Sequence, residues 1–176
     1  TINIYASTFA DKDAIADAAA KTDRAFKAGA IAVGASCEIT TMPGYLPALS
    51  EKADESVLAA SKIAAQNSEK DYQIVQEDTH AYSGGSTDVG DVQHLQPVLT
   101  FNTGGKVSGL HSVDFDIVDE ELAYVVTAKI FALSAYRLLR DGAVKAKEIV
   151  ANYQPIFTKE EYIKYMDSFI GTETYQ

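Results

Sequence analysis

The residues best suited to chemistry lie in one glycine-rich stretch that runs from Gly84 to His111. It begins with Gly84-Gly85-Ser86-Thr87-Asp88-Val89-Gly90-Asp91, continues through an apolar run over 97–101, and ends with Gly109-Leu110-His111-Ser112. A small-residue loop, a buried strand and a second loop ending in a histidine would bring polar side chains to one edge of a sheet. Open α/β sheets bind their ligands at such edges. This stretch is therefore the candidate site.

His111 has the side chain best suited to hold a metal ion. A ligating imidazole must be neutral, and a partner on its other ring nitrogen orients it. Asp114 and Asp116 are near enough in sequence to be that partner. The competing interpretation is an ordinary histidine on a polar loop, because a zinc site needs three or four ligands. The sequence contains no His-x-x-x-His motif, no Glu-Glu pair upstream of His111 and no pair of cysteines.

The loop over 85–91 offers a second possible site. Ser86 or Thr87 could cap a helix that starts near Asp88, which would leave backbone amides free to bind a carboxylate or a phosphate. Asp88 and Asp91 are three residues apart, so on a helix they share a face and could bind a cation. The alternative is an ordinary helix start with acidic residues in its first turn. A role for Ser86 as a nucleophile, as in a serine hydrolase, is the weakest interpretation, because the Gly-x-Ser-x-Gly elbow is missing.

Composition argues against several classes of function. The chain has 176 residues and a formal net charge of -10, which suits one domain or two small pieces of domains. The acidic balance argues against nucleic acid and against an anionic membrane surface, and no apolar run approaches the roughly 20 residues of a membrane span. The single cysteine, Cys37, fits a reducing, cytoplasmic setting. His80 and His94 are single histidines in polar surroundings, and we expect no role for them.

Hydrophobic periodicity predicts a strand, a long helix and a second strand at the start of the chain. The strand covers 2–7, the alanine-rich helix covers 11–32 with Gly34 at its end, and the second strand covers 35–41. Pro43 and Pro47 then mark the best boundary in the chain. After this boundary the pattern predicts a helix over 50–67 and a short strand over 72–76. A strong helix follows Asp119, with a stop or kink at Gly142. The last predicted helix runs from Lys159 to Phe169 and begins with a Thr158–Glu161 capping box.

Two motifs and the helix predicted after them resemble a known family. The run Gly-Ser-Thr-Asp-Val-Gly-Asp-Val over 85–92, followed by Gly-Leu-His-Ser and a helix opening Asp-Glu-Glu-Leu, is similar to the C-terminal part of the aminobenzoyl-glutamate hydrolase type of amidohydrolase. That group belongs to the two-metal family of aminoacylases and carboxypeptidases. The runs over 24–30 and 42–47 and the tail over 158–162 also resemble this branch, so the resemblance covers nearly the whole chain.

The resemblance implies an α/β fold in two parts. Residues 1–42 would be part of a ferredoxin-like lid, a domain that often dimerises, and residues 43–176 would be the C-terminal part of a three-layer α/β/α catalytic domain. His111 would be the last ligand of a centre of two divalent metal ions, zinc or manganese. The substrate pocket beside it would be lined by Gly85, Ser86, Thr87 and Asp88, with Asp91 and Asp114 as supporting acids behind the ligands.

The resemblance also implies a reaction and a limit on it. The parent protein would be a homodimeric cytoplasmic enzyme that hydrolyses the amide bond of N-acyl amino acids or of aminobenzoyl-glutamate-like substrates. The family's other metal ligands, which come from a His-x-Asp, a bridging Asp and a Glu-Glu pair with the general base, are missing here, and Ser7 lies close to the place of an expected lid arginine. We therefore expect no catalytic residue in this chain, at most weak metal binding, and no activity alone. The alternative is a non-catalytic domain that keeps the fold and self-associates through the helix over 11–33.

Overall fold

The computed structural model describes residues 12–49, 55–75, 87–109 and 112–175, and the structural statements below concern these residues. They form a mixed α/β structure with five helices and two small antiparallel sheets of two strands each. The helices are α1 (Lys12–Ala32), α2 (Glu55–Gln66), α3 (Val89–Gln93), α4 (Thr127–Asn152) and α5 (Lys159–Asp167). The strands are β1 (Cys37–Thr41), β2 (Lys106–Val107), β3 (Asp116–Ile117) and β4 (Gly171–Tyr175).

The chain divides into two compact units, and the first of them contains α1, α3, α5, β1 and β4. It comprises residues 1–50, 80–98 and 154–176. The α1 helix and β1 confirm the predictions for 12–32 and 37–41, and Gly34 follows the helix at φ +67°, a conformation that suits glycine. β1 pairs antiparallel with β4, from Cys37 opposite Tyr175 to Thr41 opposite Gly171. β4 was not predicted from the sequence, and the strand predicted over 2–7 lies outside the described residues.

The second unit has a hydrophobic core between α2 and α4. It comprises residues 51–79 and 99–153. The core residues Val57 and Ala64 of α2 pack with Val126 and Ile130, and five partly buried side chains surround them: Tyr72, Leu99, Phe101, Leu122 and Leu133. A π-helical turn over Glu121–Val126 leads into α4. The α4 backbone leaves helical geometry over 140–143, where Asp141, Gly142 and Ala143 all have positive φ, so the predicted kink at Gly142 is confirmed.

Two predicted strands are wrong. Residues 72–75 of the strand predicted over 72–76 are irregular, and Gln76 lies outside the described residues. Ile74 and Val75 are 40% and 79% exposed, so this apolar run does not form the half-buried face that a strand in a sheet would present. The buried strand predicted in the run over 97–101 is also irregular. Its Leu99 and Phe101 pack as single side chains on the core cluster, which gives an apolar pattern without a strand.

The last predicted helix is confirmed together with its capping box. The Thr158 hydroxyl accepts a hydrogen bond from the Glu161 amide at 3.2 Å, and the Glu161 carboxylate accepts one from the Thr158 amide at 2.8 Å. The backbone N–H of Thr158, with its hydroxyl, holds the pKa of Glu161 below its usual range. This reciprocal pair satisfies two donors that the helix itself leaves unpaired.

Within the described residues, one helical stretch is long and apolar enough to cross a membrane. It spans Glu121–Asn152, 32 residues, with a mean hydropathy of 1.4 in its most apolar window. Length and composition alone are weak evidence for a membrane span, because the core helix of a globular protein can have the same length and composition. α2 packs along one side of this stretch, and its backbone is interrupted over 140–143. The expectation of no membrane partner stays a prediction.

Candidate functional site

His111 itself lies outside the described residues, but the chain on both sides of it is held in place. It falls in the segment between β2 and β3, which pair antiparallel with Lys106 opposite Ile117. The carbonyl of Gly105, just before β2, accepts hydrogen bonds from the amides of Val118 and Asp119 at 2.9 and 3.1 Å. A side chain could not replace this glycine, because its φ is +90° and a Cβ would lie 2.7 Å from the Asp119 carbonyl oxygen.

The two acids proposed as partners of His111 are described, and each has a local contact. Asp114 is exposed, and its amide donates to the Ser112 hydroxyl at 3.2 Å. The Asp116 carboxylate accepts a hydrogen bond from the amide of Ile117 at 2.8 Å. The pairing of His111 with either acid stays a prediction.

The structure describes the second candidate site only from Thr87 onward, so Gly85 and Ser86 lie outside the described residues. Thr87 and Asp88 are exposed, and the Thr87 hydroxyl donates to the Asp88 carboxylate at 3.1 Å. Asp88 is the residue before α3, and no side chain caps that helix from this position. The prediction that Thr87 caps the helix is therefore wrong, because its hydroxyl is turned to its neighbour instead. The prediction for Ser86 lies outside the described residues.

Asp91 joins α3 to a segment far away in sequence. Its carboxylate accepts a hydrogen bond from the amide of Leu46 at 2.8 Å. Burial raises the pKa of the Tyr162 phenol, and the negative charge of Asp91 and a hydrogen bond to it raise that pKa further. Asp91 thus has a donor at 2.8 Å and a phenol beside it, which places this acid in the packing of the first unit.

Two neighbours of Asp91, Gly90 and Gln93, complete this contact between α3 and the segment over 46–49, and neither role was predicted from the sequence. Gly90 lies against the backbone of Leu46, where a Cβ would come 2.1 Å from the carbonyl oxygen. The buried Gln93 accepts from the Leu49 amide at 2.8 Å and donates to the Leu49 carbonyl at 3.3 Å. A side-chain amide that pairs with a backbone in this way imitates a strand ladder. A glycine and a glutamine on a short helix carry no sequence signal for such a long-range contact.

His94 is almost fully buried, with 1% of its surface exposed. Its Nδ1 lies 2.8 Å from the Gly90 carbonyl oxygen, so Nδ1 carries the proton and donates. The ring stacks on Phe157 at a centroid distance of 6.0 Å, and the His94 carbonyl accepts from the amides of Ile156 and Phe157. The prediction of polar surroundings for His94 is wrong, because the residue is buried, and the absence of a ligand role stays a prediction.

A network of polar groups ties the end of α2 to the start of the π-helical turn. Lys70 donates to the Asp119 carboxylate at 2.7 Å, and the Tyr72 hydroxyl donates to Asp119 at 2.9 Å and to Glu121 at 3.1 Å. The Lys70 ammonium holds the pKa of Asp119 below its usual range, and burial raises the pKa of Tyr72. The predicted acidic start of this helix is therefore confirmed, and two of its acids, Asp119 and Glu121, also accept hydrogen bonds from the segment over 70–72.

Two open clefts lie in the second unit, and neither contains a ready set of reactive groups. One, of about 590 Å³, lies beside this network and is lined by Glu69, Glu120, Tyr124 and Lys129 among others. The other, of about 370 Å³, lies at the kink of α4 and is lined by three cationic side chains and three carboxylates. The cationic residues are Arg137, Arg140 and Lys145, and the acids are Glu55, Asp141 and Glu148. Because these formal charges cancel, the second cleft has no electrostatic preference for an anion.

The described residues contain no group of three or more His, Cys, Asp or Glu side chains that could hold a metal ion. A metal centre built on His111 would therefore need ligands from outside the described part of the chain. Comparison of the sequence with protein-family models and with curated proteins, and of the structure with solved structures, gives no significant match.

Proposed function

We propose that this chain is the C-terminal portion of a metal-dependent amidohydrolase that cleaves the amide bond of N-acyl amino acids or of aminobenzoyl-glutamate-like substrates. The observation that carries the proposal is the order of two motifs and a helix. Gly-Ser-Thr-Asp-Val-Gly-Asp-Val over 85–92 precedes Gly-Leu-His-Ser over 109–112, and a helical segment opens at Asp119-Glu120-Glu121-Leu122. In this proposal the residues before 43 are part of a lid domain, and the remainder completes a three-layer α/β/α domain.

The contacts at the ends of the two motifs support the proposal. Gly90 and Asp91 contact the backbone of Leu46, so the segment predicted as a glycine loop is followed directly by residues that tertiary contacts hold. Gly105 is fastened to the start of the helical segment, six residues before His111. A binding loop works best when a rigid scaffold fixes its ends. Two glycine-rich segments that are predicted to be loops, and that each adjoin such contacts, suit ligand binding.

The metal centre of the proposed enzyme would draw one ligand, His111, from this chain. The described residues supply no set of three ligands, so the other ligands and the general base must come from a part of the parent protein that these residues do not include. Two zinc or manganese ions would polarise the amide and activate water in the complete enzyme. The chain's own part is to present His111 and to line the substrate pocket with Gly85, Ser86, Thr87 and Asp88.

The test is to determine the coding sequence upstream of Thr1 and to assay the longest product on N-acetyl amino acids and on aminobenzoyl-glutamate. We expect amide hydrolysis that a chelator removes and that zinc or manganese restores. His111→Ala should lower the rate at least about 1,000-fold, because a lost ligand disassembles the metal centre. His80→Ala is the matched control and should leave the rate unchanged.

An active product that keeps its rate after His111→Ala contradicts the proposed role of this histidine. Upstream sequence without a His-x-Asp and a Glu-Glu pair, together with no amide hydrolysis, contradicts the amidohydrolase assignment itself. The two failures are distinct, because the first leaves the substrate class intact.

A second candidate function is a non-catalytic self-associating domain. The observation that favours it is the exposure of α1, in which none of the described residues is buried and Ile31 is 69% exposed. In this case the purified chain would dimerise through α1 and bind no metal. A dimer that dissociates after Ile31→Glu would support this candidate.

A further inference from the structure

The π-helical turn and α4 expose a continuous apolar face on the side away from the α2 core. Tyr124, Phe131, Tyr136 and Leu139 are 59–64% exposed. Exposed alanines lie between them at 128, 132 and 135. We define this set as the α4 face. Positions 128, 131, 135 and 139 of α4 recur at intervals of three or four residues, so they follow one side of the helix over about 16 Å, and Tyr124 in the π-helical turn precedes them.

We propose that the α4 face binds the α4 face of a second copy of this chain, with the two helices antiparallel. A twofold axis between 131 and 132 places Tyr124 opposite Leu139 of the other copy and Ala128 opposite Ala135. It also places Phe131 opposite Ala132, a ring against a small residue. Large side chains therefore meet small ones or each other in the interdigitated manner that close helix packing needs. This self-complementarity is what a twofold interface requires.

The charges at the two ends of the face favour this occupant and this direction. Glu120 precedes the face and is exposed, and Arg140 follows it with its side chain 54% exposed. In an antiparallel pair the acidic end of each copy lies beside the basic end of the other, whereas a parallel pair would bring like charges together. Arg140 already contacts Asp141 of its own chain at 2.9 Å, so the contact with Glu120 of the other copy adds to an existing ion pair.

The size of the face predicts a reversible dimer. Three aromatic rings and one leucine, each more than half exposed, with the alanines between them, amount to about 500 Å² of apolar surface per copy. A stable interface of standard size buries about 800 Å² per partner, so the dissociation constant of this smaller dimer should be about micromolar or higher. This inference concerns an assembly surface and does not depend on the proposed activity.

The experiment is sedimentation velocity of the 176-residue chain over a concentration series, with Ala132→Glu as the test and Ala151→Glu, in the part of α4 beyond the kink, as the matched control. Both alanines are exposed and lie within helices, so neither change removes a packing contact of the monomer, and far-UV circular dichroism should confirm unchanged folding. We expect a monomer–dimer equilibrium in the native chain, a dissociation constant at least about tenfold higher with Ala132→Glu, and no change with Ala151→Glu.

A charge exchange tests the direction of the two helices. Glu120→Arg alone should raise the dissociation constant about threefold to tenfold, because it sets two cationic side chains together at each end of the pair. Adding Arg140→Glu in the same chain should restore the native value to within about twofold. A double variant that binds no better than the single one contradicts the antiparallel arrangement.

Three results would overturn the proposal. The native chain remains monomeric at every concentration, or Ala132→Glu leaves the dimer intact, or a monomeric chain sediments with neutral phosphatidylcholine vesicles and Ala132→Glu abolishes that binding. The last result would assign the α4 face to a lipid surface.

Discussion

At the residue scale, the second half of the Gly-Ser-Thr-Asp-Val-Gly-Asp-Val motif serves packing. Gly90 allows α3 to touch the backbone of Leu46, and Asp91 receives the Leu46 amide. His94 donates to the Gly90 carbonyl and stacks on Phe157. A ligand role for this motif therefore rests on its first half, over 85–88, in which Thr87 and Asp88 are exposed.

Two helical glycines should respond in opposite ways to alanine. Gly90→Ala places a Cβ 2.1 Å from the Leu46 carbonyl oxygen, so the backbone must move, and we expect a loss of about 2 kcal/mol or more in the free energy of unfolding. Gly29→Ala in α1 meets nothing within 4 Å and should stabilise the chain by about 0.5–1 kcal/mol. Urea unfolding followed by circular dichroism measures both. A neutral Gly90→Ala would contradict the packing of α3 on Leu46.

These residue contacts could be predicted from the sequence only in part. The sequence predicted a helix that starts near Asp88, which α3 confirms, but it did not predict the contacts that Gly90 and Asp91 make. The partner of both residues is Leu46, about 45 positions earlier, and no local pattern specifies a contact of that separation. The buried Gln93 and His94 are beyond prediction for the same reason, since polar residues are normally read as exposed.

At the element scale, hydrophobic periodicity predicted the long helices, but of the described strands it predicted only β1. α1, α4 and α5 were predicted with ends within a few residues, because their caps, glycine stops and apolar faces are local. The runs over 72–75 and 97–101 are apolar but irregular, since single side chains from them pack on α2 and α4 without a neighbouring strand. β4 was missed because Gly171-Thr-Glu-Thr-Tyr175 is mostly polar, and all but Tyr175 is exposed.

The network between α2 and the π-helical turn predicts a pH dependence of stability. The Lys70 hydrogen bond lowers the folded pKa of Asp119 below the value of about 3.9 in the unfolded chain. A group whose pKa is lowered by folding stabilises the native state fully above its unfolded pKa, and this contribution is lost as the pH falls through the folded pKa. Asp119→Asn should therefore destabilise the chain at pH 7 and lose less stability than the native chain on acidification below about pH 5.

Urea midpoints measured at several pH values test this expectation. The control is Asp71→Asn, a neighbouring exposed acid, which should leave the urea midpoint at pH 7 nearly unchanged. If the urea midpoint of Asp119→Asn changed with pH as steeply as that of the native chain, the pH dependence of stability would not come from Asp119.

At the scale of the whole molecule, the residues proposed for assembly differ from the residues proposed for metal and substrate binding. The α4 face is apolar and self-complementary, whereas the proposed chemical residues are polar and lie on glycine-rich segments. The mixed α/β class could be predicted from the sequence, and the structure confirms it at that level. The three-layer domain and the lid stay proposals, because the described strands form only two small pairs.

The central claim is that His111 holds a catalytic metal ion in the parent enzyme, and metal content tests it most directly. The longest product of the gene should be saturated with zinc, desalted, and analysed for bound metal by mass spectrometry, beside His111→Ala and His80→Ala. The account predicts two ions per chain in the native protein and in His80→Ala, and one or none in His111→Ala. Two ions bound equally well after His111→Ala would contradict it.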